Sequence, residues 1–245
     1  MRLHLHELGD PGGEPVACLH GLTGHGRRFA RMAGELAGKR LLAPDLRGHG
    51  RSTPDPPWTT EQHVADVLET LPDGRMDWVG FSFGGRIAAT VAAAAPERVR
   101  RLVLLDPALT LAPALAAEKA RDALADPSHA TAEDAVQAAL DAGTLFSTPR
   151  AFLVEDVAEH YERRPDGRLQ ARVVQAMAVT AWSEMARPAP PVNGIPTLVI
   201  TGARSWIPID VGRLAPARHV EVPGGHNVLW EDPELTADAV RAFLA

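Results

Sequence analysis

"WVGFSFGG", residues 78–85, is the stretch on which the reading of this chain turns. Inside it, Gly80-Phe81-Ser82-Phe83-Gly84 spells G-x-S-x-G. The run that leads in, "DWVGF" (77–81), is short and apolar, like a buried strand. The run that leads out, "RIAATVAAAA" (86–95), is built almost entirely of small residues and suits a helix packed closely on a sheet. A serine in a sharp strand-to-helix turn needs small neighbours two positions away on either side, and Gly80 and Gly84 supply them. Such a turn lifts the Ser82 hydroxyl above the sheet, and the helix N-terminus beside it favours negative charge nearby. The competing reading is a tight turn with an incidental serine. The strand–motif–helix context argues for a nucleophile elbow.

Working outward, "VACLH" (16–20), "RLVLL" (101–105) and "TLVI" (197–200) have the same short, apolar, turn-bounded character as 77–81, as expected of a parallel sheet covered on both faces. "RLLAP" (40–44) and "RHVEV" (218–222) are further strand candidates, and "RLHLHEL" (2–8) alternates like an edge strand or hairpin arm. Helices are expected at 27–37, 59–71, 83–95 and 233–244, the last with Asp232 as N-cap and Pro233 in its first position. Alternating strands and helices predict an α/β fold, a doubly wound and mostly parallel sheet flanked by helices. Residues 108–190 break that rhythm. They are rich in Ala, Leu and Glu, contain no convincing strand, and suggest four helices within "ALAAEKARDALA", "AEDAVQAALDAG", "AFLVEDVAEHY" and "LQARVVQAMAVTAW". The expected organisation is a core of residues 1–107 and 191–245 with a helical insertion, 108–190, placed late in the sheet order.

Composition narrows the class. A chain of 245 residues, 45% hydrophobic and 23% charged, fits one soluble domain with room for an insertion. The single cysteine, Cys18, rules out an internal disulfide and fits a reducing cytoplasm. No secretion signal and no apolar run near the ~18 residues of a membrane span are visible. A net charge of −6 with scattered basic residues argues against a nucleic-acid partner.

Two further stretches carry chemistry. In "CLHGLTGHG" (18–26) a strand ends in a Gly-rich loop, where the Leu22 N–H can turn toward the space above Ser82. With the N–H of Phe83 it would form an oxyanion hole. His20 is read as ordering that loop, and His25 as bordering the pocket. In "VPGGHNVLWEDPE" (222–234), His226 follows a late strand and precedes the terminal helix, the place from which a general base reaches Ser82. His4 and His6 mimic a metal pair, but with no carboxylate or cysteine cluster beside them they read as surface residues. No metal site and no cofactor are expected.

Those three signals, in that order, resemble the α/β-hydrolase fold superfamily, in its serine-nucleophile, bacterial esterase-like branch. The resemblance covers nearly the whole chain: "LLAPDLRGHGRS" (41–52) is similar to the family's strand-end segment, and 108–190 sits where the family carries its cap. It implies Ser82 as nucleophile, His226 as base and the Leu22 and Phe83 amides as oxyanion donors. Asp45 and Arg47 would be structural. The serine at the elbow argues against epoxide hydrolases and haloalkane dehalogenases, which use an aspartate there.

The resemblance also exposes a gap. Serine hydrolases of this fold set a carboxylate behind the histidine, usually three or four residues after the Gly202 equivalent. In "PTLVITGARSWIPID" (196–210) those positions hold Ser205 and Trp206. Two acids compete for the role. Asp106 ends the 101–105 strand, which in this fold lies beside the 197–200 strand, and some family members use an acid there; its rival role is to cap the first cap helix. Asp210 lies in the usual loop but later, after Pro208. Asp106 is favoured.

The reading is a serine hydrolase that cleaves carboxylic esters through an acyl-enzyme intermediate, with a small-molecule ester as its partner, no cofactor, and monomer or homo-oligomer undetermined. A C–C bond hydrolase, thioesterase or lactonase would use the same residues, and a non-catalytic ligand-binding protein on this scaffold is the alternative from another class. Trp206, Phe146, Trp182, Met185 and Phe152 are candidates to line an apolar pocket.

Overall fold

The computed structural model describes residues 2–214 and 217–245. In chain order the core elements are β1 (Leu5–Gly9), β2 (Glu14–Leu19), α1 (Ala30–Glu35), β3 (Lys39–Pro44), α2 (Thr60–Thr70), β4 (Met76–Phe81), α3 (Phe83–Ala94) and β5 (Val99–Leu105). The inserted segment contributes α4 (Pro113–Asp122), α5 (Ala132–Asp141), α6 (Arg150–His160), β6 (Tyr161–Arg163), β7 (Leu169–Ala171) and α7 (Gln175–Met185). The core resumes with β8 (Thr197–Gly202), β9 (Ala217–Val222), α8 (Val228–Glu231) and α9 (Pro233–Leu244). Seven strands form one sheet in the order β1-β3-β2-β4-β5-β8-β9, with β1 antiparallel to β3 at one edge and every other pairing parallel. This is the expected α/β architecture, and β1 is the edge strand.

Strand alternation sorts the core into two layers. Trp78, Leu102 and Leu104 face α3 and α7 among Phe83, Ile87, Met177 and Met185. Val79, Phe81, Val103 and Leu105 face the opposite side, with Phe29, Met32, Trp230, Val240 and Leu244. The inserted segment divides in the same way. Ala116 of α4 and Met177, Ala178 and Ala181 of α7 join the first layer, while Val136 of α5 and Leu153 and Val157 of α6 join the second. The buried Arg86 of α3 fastens both ends of the insertion, donating through Nη1 to the carbonyls of Leu109 and Arg187. No helix among the described residues is long and apolar enough to cross a membrane.

The structure departs from the sequence reading in three places. The insertion contains the two-stranded hairpin β6–β7 where only helix was expected, so α7 begins at Gln175. Leu169 exchanges both backbone hydrogen bonds with His129, which recruits the segment into extended pairing. The helix expected at 27–37 is a 3₁₀ turn, Gly26–Phe29, followed by the six-residue α1. Asp232 precedes α9, but its carboxylate accepts from the Gly224 N–H at 2.7 Å rather than capping the helix. The rival role weighed for Asp106 does not arise, because α4 starts at Pro113 with Ala112 before it.

Candidate active site

Ser82 joins β4 to α3 with φ 52 and ψ −118, a left-handed conformation that costs a non-glycine residue roughly 1–3 kcal/mol. Its neighbours make the turn possible. A Cβ on Gly84 would stand 2.1 Å from the Leu19 carbonyl oxygen, and one on Gly80 2.5 Å from the Gly84 oxygen. The Ser82 N–H donates to the Leu105 carbonyl (3.0 Å), and the Ser82 carbonyl accepts from Gly85 (2.9 Å) and Ala108 (3.1 Å), which locks the elbow to the end of β5.

His226 stands in the loop between β9 and α8. The carboxylates of Glu231 and Asp232 accept the N–H groups of Gly225 (2.9 Å) and Gly224 (2.7 Å), fixing the two residues before it. Its Nε2 lies 2.9 Å from Ser82 Oγ, and its Nδ1 lies 2.5 Å from Asp106 Oδ2. Because Nδ1 faces a carboxylate, which can only accept, the imidazole proton sits on Nδ1 and Nε2 is left free to take one. The ring is flanked by Phe81 (centroids 5.1 Å apart) and Trp206 (5.5 Å, edge on).

Asp106 follows β5 with φ 40 and is fully buried. Besides His226, its carboxylate accepts from the Gly202 N–H (3.0 Å, on Oδ1) and from the Ser205 hydroxyl (on Oδ2). The structure thus brings Ser82, His226 and Asp106 into one hydrogen-bonded chain, drawn from the ends of three different strands. Asp210 is elsewhere. It lines a cavity of about 770 Å³ with Pro107, Leu109, Pro191, Ile209 and Leu214, between the β5 loop and the link back to β8.

The Gly-rich loop and the first turn of α3 both lie at Ser82. A Cβ on Gly21 would be 3.1 Å from Ser82 Cβ, so the Gly-rich loop lies directly against the serine. Phe83 is the first residue of α3 and has no acceptor within the helix for its N–H. Two buried histidines brace this loop. His20 Nε2 accepts from the Leu46 N–H (2.9 Å), so its Nδ1 carries the proton and donates to the Gly21 carbonyl (2.8 Å). His49, which the sequence reading did not single out, accepts from the Thr23 N–H (3.2 Å) and donates to the Arg47 carbonyl (3.1 Å). Burial holds His20 well below the ordinary histidine range and His49 at about 4, so both are neutral, as these acceptor roles require. Their ring contact, centroids 4.8 Å apart, has no sequence signature, because the two lie on different loops.

Of the pocket candidates, Trp206 and Trp182 meet at 6.2 Å beside His226. The others do different work. Met185 is buried in the core, and its carbonyl accepts from the Leu111 N–H. Phe146 is 48% exposed with the Arg204 guanidinium 3.8 Å over its ring. Phe152 lies under Arg31 in a separate polar cavity of about 350 Å³. His25 lines that same cavity and bonds Asp156 of α6 at 2.9 Å rather than bordering Ser82. The Asp156 carboxylate also takes two hydrogen bonds from Arg28 (2.8 and 2.7 Å). Burial alone would raise its pKa, but the Arg28 charge and these hydrogen bonds override that and hold it well below the usual carboxylate range.

The two N-terminal histidines do have a carboxylate beside them, contrary to the sequence reading. Antiparallel pairing of β1 with β3 sets Asp45 against His4 and His6, with their ligating atoms within 4.8 Å of one another. Asp45 Oδ1 accepts from Gly26 (2.8 Å) and meets His6 Nε2 (3.0 Å), while Oδ2 accepts from the Arg51 N–H (3.0 Å). These contacts make Asp45 a brace for its loop. Arg47 has a similar role, with a bidentate pair to the buried Asp66 at 2.6 and 2.8 Å.

Residues 14–233 match the family model described as alpha/beta hydrolase fold. The chain is 39% identical over 207 residues to "Lipase LipV" of Mycobacterium tuberculosis (strain ATCC 25618 / H37Rv), covering 80% of this chain and 77% of that one. It is 29% identical over 268 residues to a putative 2-succinyl-6-hydroxy-2,4-cyclohexadiene-1-carboxylate synthase of Bacillus subtilis (strain 168), covering 100% and 95% of the two chains. Among solved structures, an E-2-(acetamidomethylene)succinate hydrolase superposes with a TM-score of 0.83 at 25% identity, over 98% of this chain and 94% of that one.

Proposed function

The chain belongs to the alpha/beta hydrolase fold family, and within it we propose that it is a serine hydrolase that cleaves carboxylic esters through an acyl-enzyme intermediate. The observation that carries this reading is the hydrogen-bonded chain from Ser82 Oγ through His226 to the buried Asp106 carboxylate, mounted on a strained elbow. His226 Nε2 takes the Ser82 proton as Oγ attacks the ester carbonyl carbon. Asp106 keeps the other ring proton on Nδ1 and stabilises the imidazolium that forms. The N–H groups of Leu22 and Phe83 face the developing oxyanion. The imidazolium then protonates the departing alkoxide. Water, deprotonated by the same Nε2, releases the acid and restores Ser82.

Residues 108–190 serve as a cap over this site. Their attachments support that role: the Val174 N–H donates to Gly48 (2.8 Å), the Gly50 N–H to Arg172 (2.7 Å), and Glu231 beside the His226 loop accepts from the Phe146 N–H (3.2 Å). Trp206, with Trp182 of α7 packed against it, forms an apolar wall beside His226. Likeness to a protein named a lipase favours an ester over a C–C bond as the scissile group.

The test is covalent labelling with a serine-reactive fluorophosphonate, read as a mass gain on Ser82, alongside turnover of p-nitrophenyl esters of stepped acyl length. Labelling that disappears in Ser82→Ala, with ester turnover, is expected. Absence of both labelling and turnover in the folded protein refutes the reading and leaves the non-catalytic alternative. Labelling with turnover of a C–C diketone substrate and of no ester would change the reaction class.

A further inference from the structure

We propose that Ser205 is a positioning residue for the His226–Asp106 pair: its hydroxyl orients the buried carboxylate that holds the imidazole proton on Nδ1. The proposal rests on the reading of Ser82, His226 and Asp106 as the reacting chain. Three donors converge on Asp106, and they are shared unequally. Oδ1 takes only the Gly202 N–H (3.0 Å), whereas Oδ2 takes both His226 Nδ1–H (2.5 Å) and the Ser205 hydroxyl. The carboxylate has no proton to give, so Ser205 must be the donor in that contact. Its oxygen in turn accepts from the Ile207 N–H at 3.1 Å, and its own N–H closes a turn onto the Gly202 carbonyl at 3.0 Å. The hydroxyl rotor is therefore fixed from both sides and points at the oxygen that faces the histidine.

Asp106 needs such a partner. It is fully buried, so water does not complete its hydrogen bonding, and its backbone sits at φ 40, outside the conformations that most side chains prefer. A carboxylate held by donors on both oxygens keeps one rotamer, with Oδ2 presented to His226. Without the hydroxyl, the negative charge on Oδ2 is shared with the imidazole alone, so the protonated imidazole is held more tightly and the geometry is looser. The rings against His226 are Phe81 and Trp206, neither of which titrates near neutrality. The change therefore passes through Asp106.

The expected consequences distinguish positioning from simple bracing of the loop. Ser205→Ala should lower kcat by about tenfold or more with KM nearly unchanged, the size of one lost hydrogen bond to a charged group. The acidic limb of the kcat–pH profile should move up by roughly half a unit to one unit. Ser205→Thr, which keeps the hydroxyl, should restore both, and Ser205→Cys, a weak donor of similar size, should fall between. A second readout is independent of turnover: the low-field proton resonance of the His226 Nδ1–H bond to Asp106 should shift in Ser205→Ala and return in Ser205→Thr. Wild-type kcat, pH profile and proton resonance in Ser205→Ala, with only a lower Tm, would overturn the proposal. So would equal losses in the Thr and Ala variants. If the wild-type enzyme itself is neither labelled at Ser82 nor active on esters, it is the functional reading that fails, and the proton resonance still decides whether Ser205 orients the pair. If Ser205→Ala does not fold, the Thr and Cys variants carry the comparison.

Discussion

Replacing Asp106 by asparagine keeps the shape of a fully buried side chain and removes its charge. Three donors point at that side chain, from Gly202, Ser205 and His226. Asparagine offers one carbonyl oxygen and one NH₂ group, so one side of it must set donor against donor. If the oxygen takes the Oδ2 place, the Gly202 N–H loses its acceptor and the imidazolium formed in the reaction loses its counter-charge. If the NH₂ takes that place, the imidazole proton is driven to Nε2, which can then no longer accept from Ser82. Either arrangement removes stabilisation needed only as charge develops. Loss of the carboxylate in a serine triad costs about 10⁴ in turnover, which is about 5.5 kcal/mol of transition-state free energy. The stability cost is smaller, about 1–3 kcal/mol for one unsatisfied buried group, so the variant should stay folded. The assay is kcat on a p-nitrophenyl ester, with urea denaturation to confirm folding and Asp210→Asn as the matched control. Turnover of Asp106→Asn within tenfold of wild type, or a severe loss in Asp210→Asn instead, would refute the assignment of the acid.

Gly84→Ala places a methyl group 2.1 Å from the Leu19 oxygen and should abolish Ser82 labelling by fluorophosphonate while costing about 1–3 kcal/mol or more in denaturant unfolding. Burial holds His63 at about 3, His160 at about 2 and His49 at about 4, against an ordinary value of 6.5, and neighbouring histidines add to the lowering at His63 and His160. The unfolded chain therefore takes up protons first as pH falls below about 6.5. The stability that these neutral rings contribute should decline from there and be exhausted once each folded-state value is passed; a urea midpoint that stays level from pH 7 to 4 would contradict this. Asp156→Ala strands the largely buried Arg28 charge and detaches α6 from the Gly-rich loop, with an expected loss of about 3 kcal/mol in urea unfolding.

The centre of the sheet could be read from the sequence because β2, β4, β5 and β8 are short apolar runs buried on both faces, each closed by a turn residue. Local rules suffice for such segments: the period-two sorting of Trp78 and Val79 into opposite layers is already implied by the chain. The β6–β7 hairpin could not be read in this way. Its three-residue strands carry no alternation long enough to detect, and its extended form depends on His129, forty residues from Leu169 in sequence terms and paired to it only through backbone atoms. Asp232 illustrates a related failure. An aspartate before Pro233 reads as a cap, but tertiary folding brings the Gly224 N–H to the same carboxylate, and that contact prevails. The brace of His4, His6 and Asp45 is hidden for the same reason, since the two segments meet only through the β1–β3 pairing.

The candidate site divides along the same line. Ser82 announces itself because the geometric demand on its neighbours is local: glycine is needed two residues to either side, and a Cβ at either position would collide with backbone. The acid has no such local signature. A carboxylate serves His226 from wherever the fold delivers it, and parallel pairing of β5 with β8 puts the residue after Leu105 beside the loop after Gly202. In the sequence, Ser205 and Trp206 mark only where a carboxylate is missing. In the structure they flank the hydrogen-bonded His226–Asp106 pair, Ser205 with a hydrogen bond to Asp106 and Trp206 edge-on to His226. A carboxylate at 205 would stand against the buried Asp106 carboxylate and repel it. A loop that receives the acid from the neighbouring strand must offer donors instead. Gly202 N–H and Ser205 Oγ–H are those donors, so the absence of a carboxylate at 205 and the presence of one at 106 follow from a single arrangement.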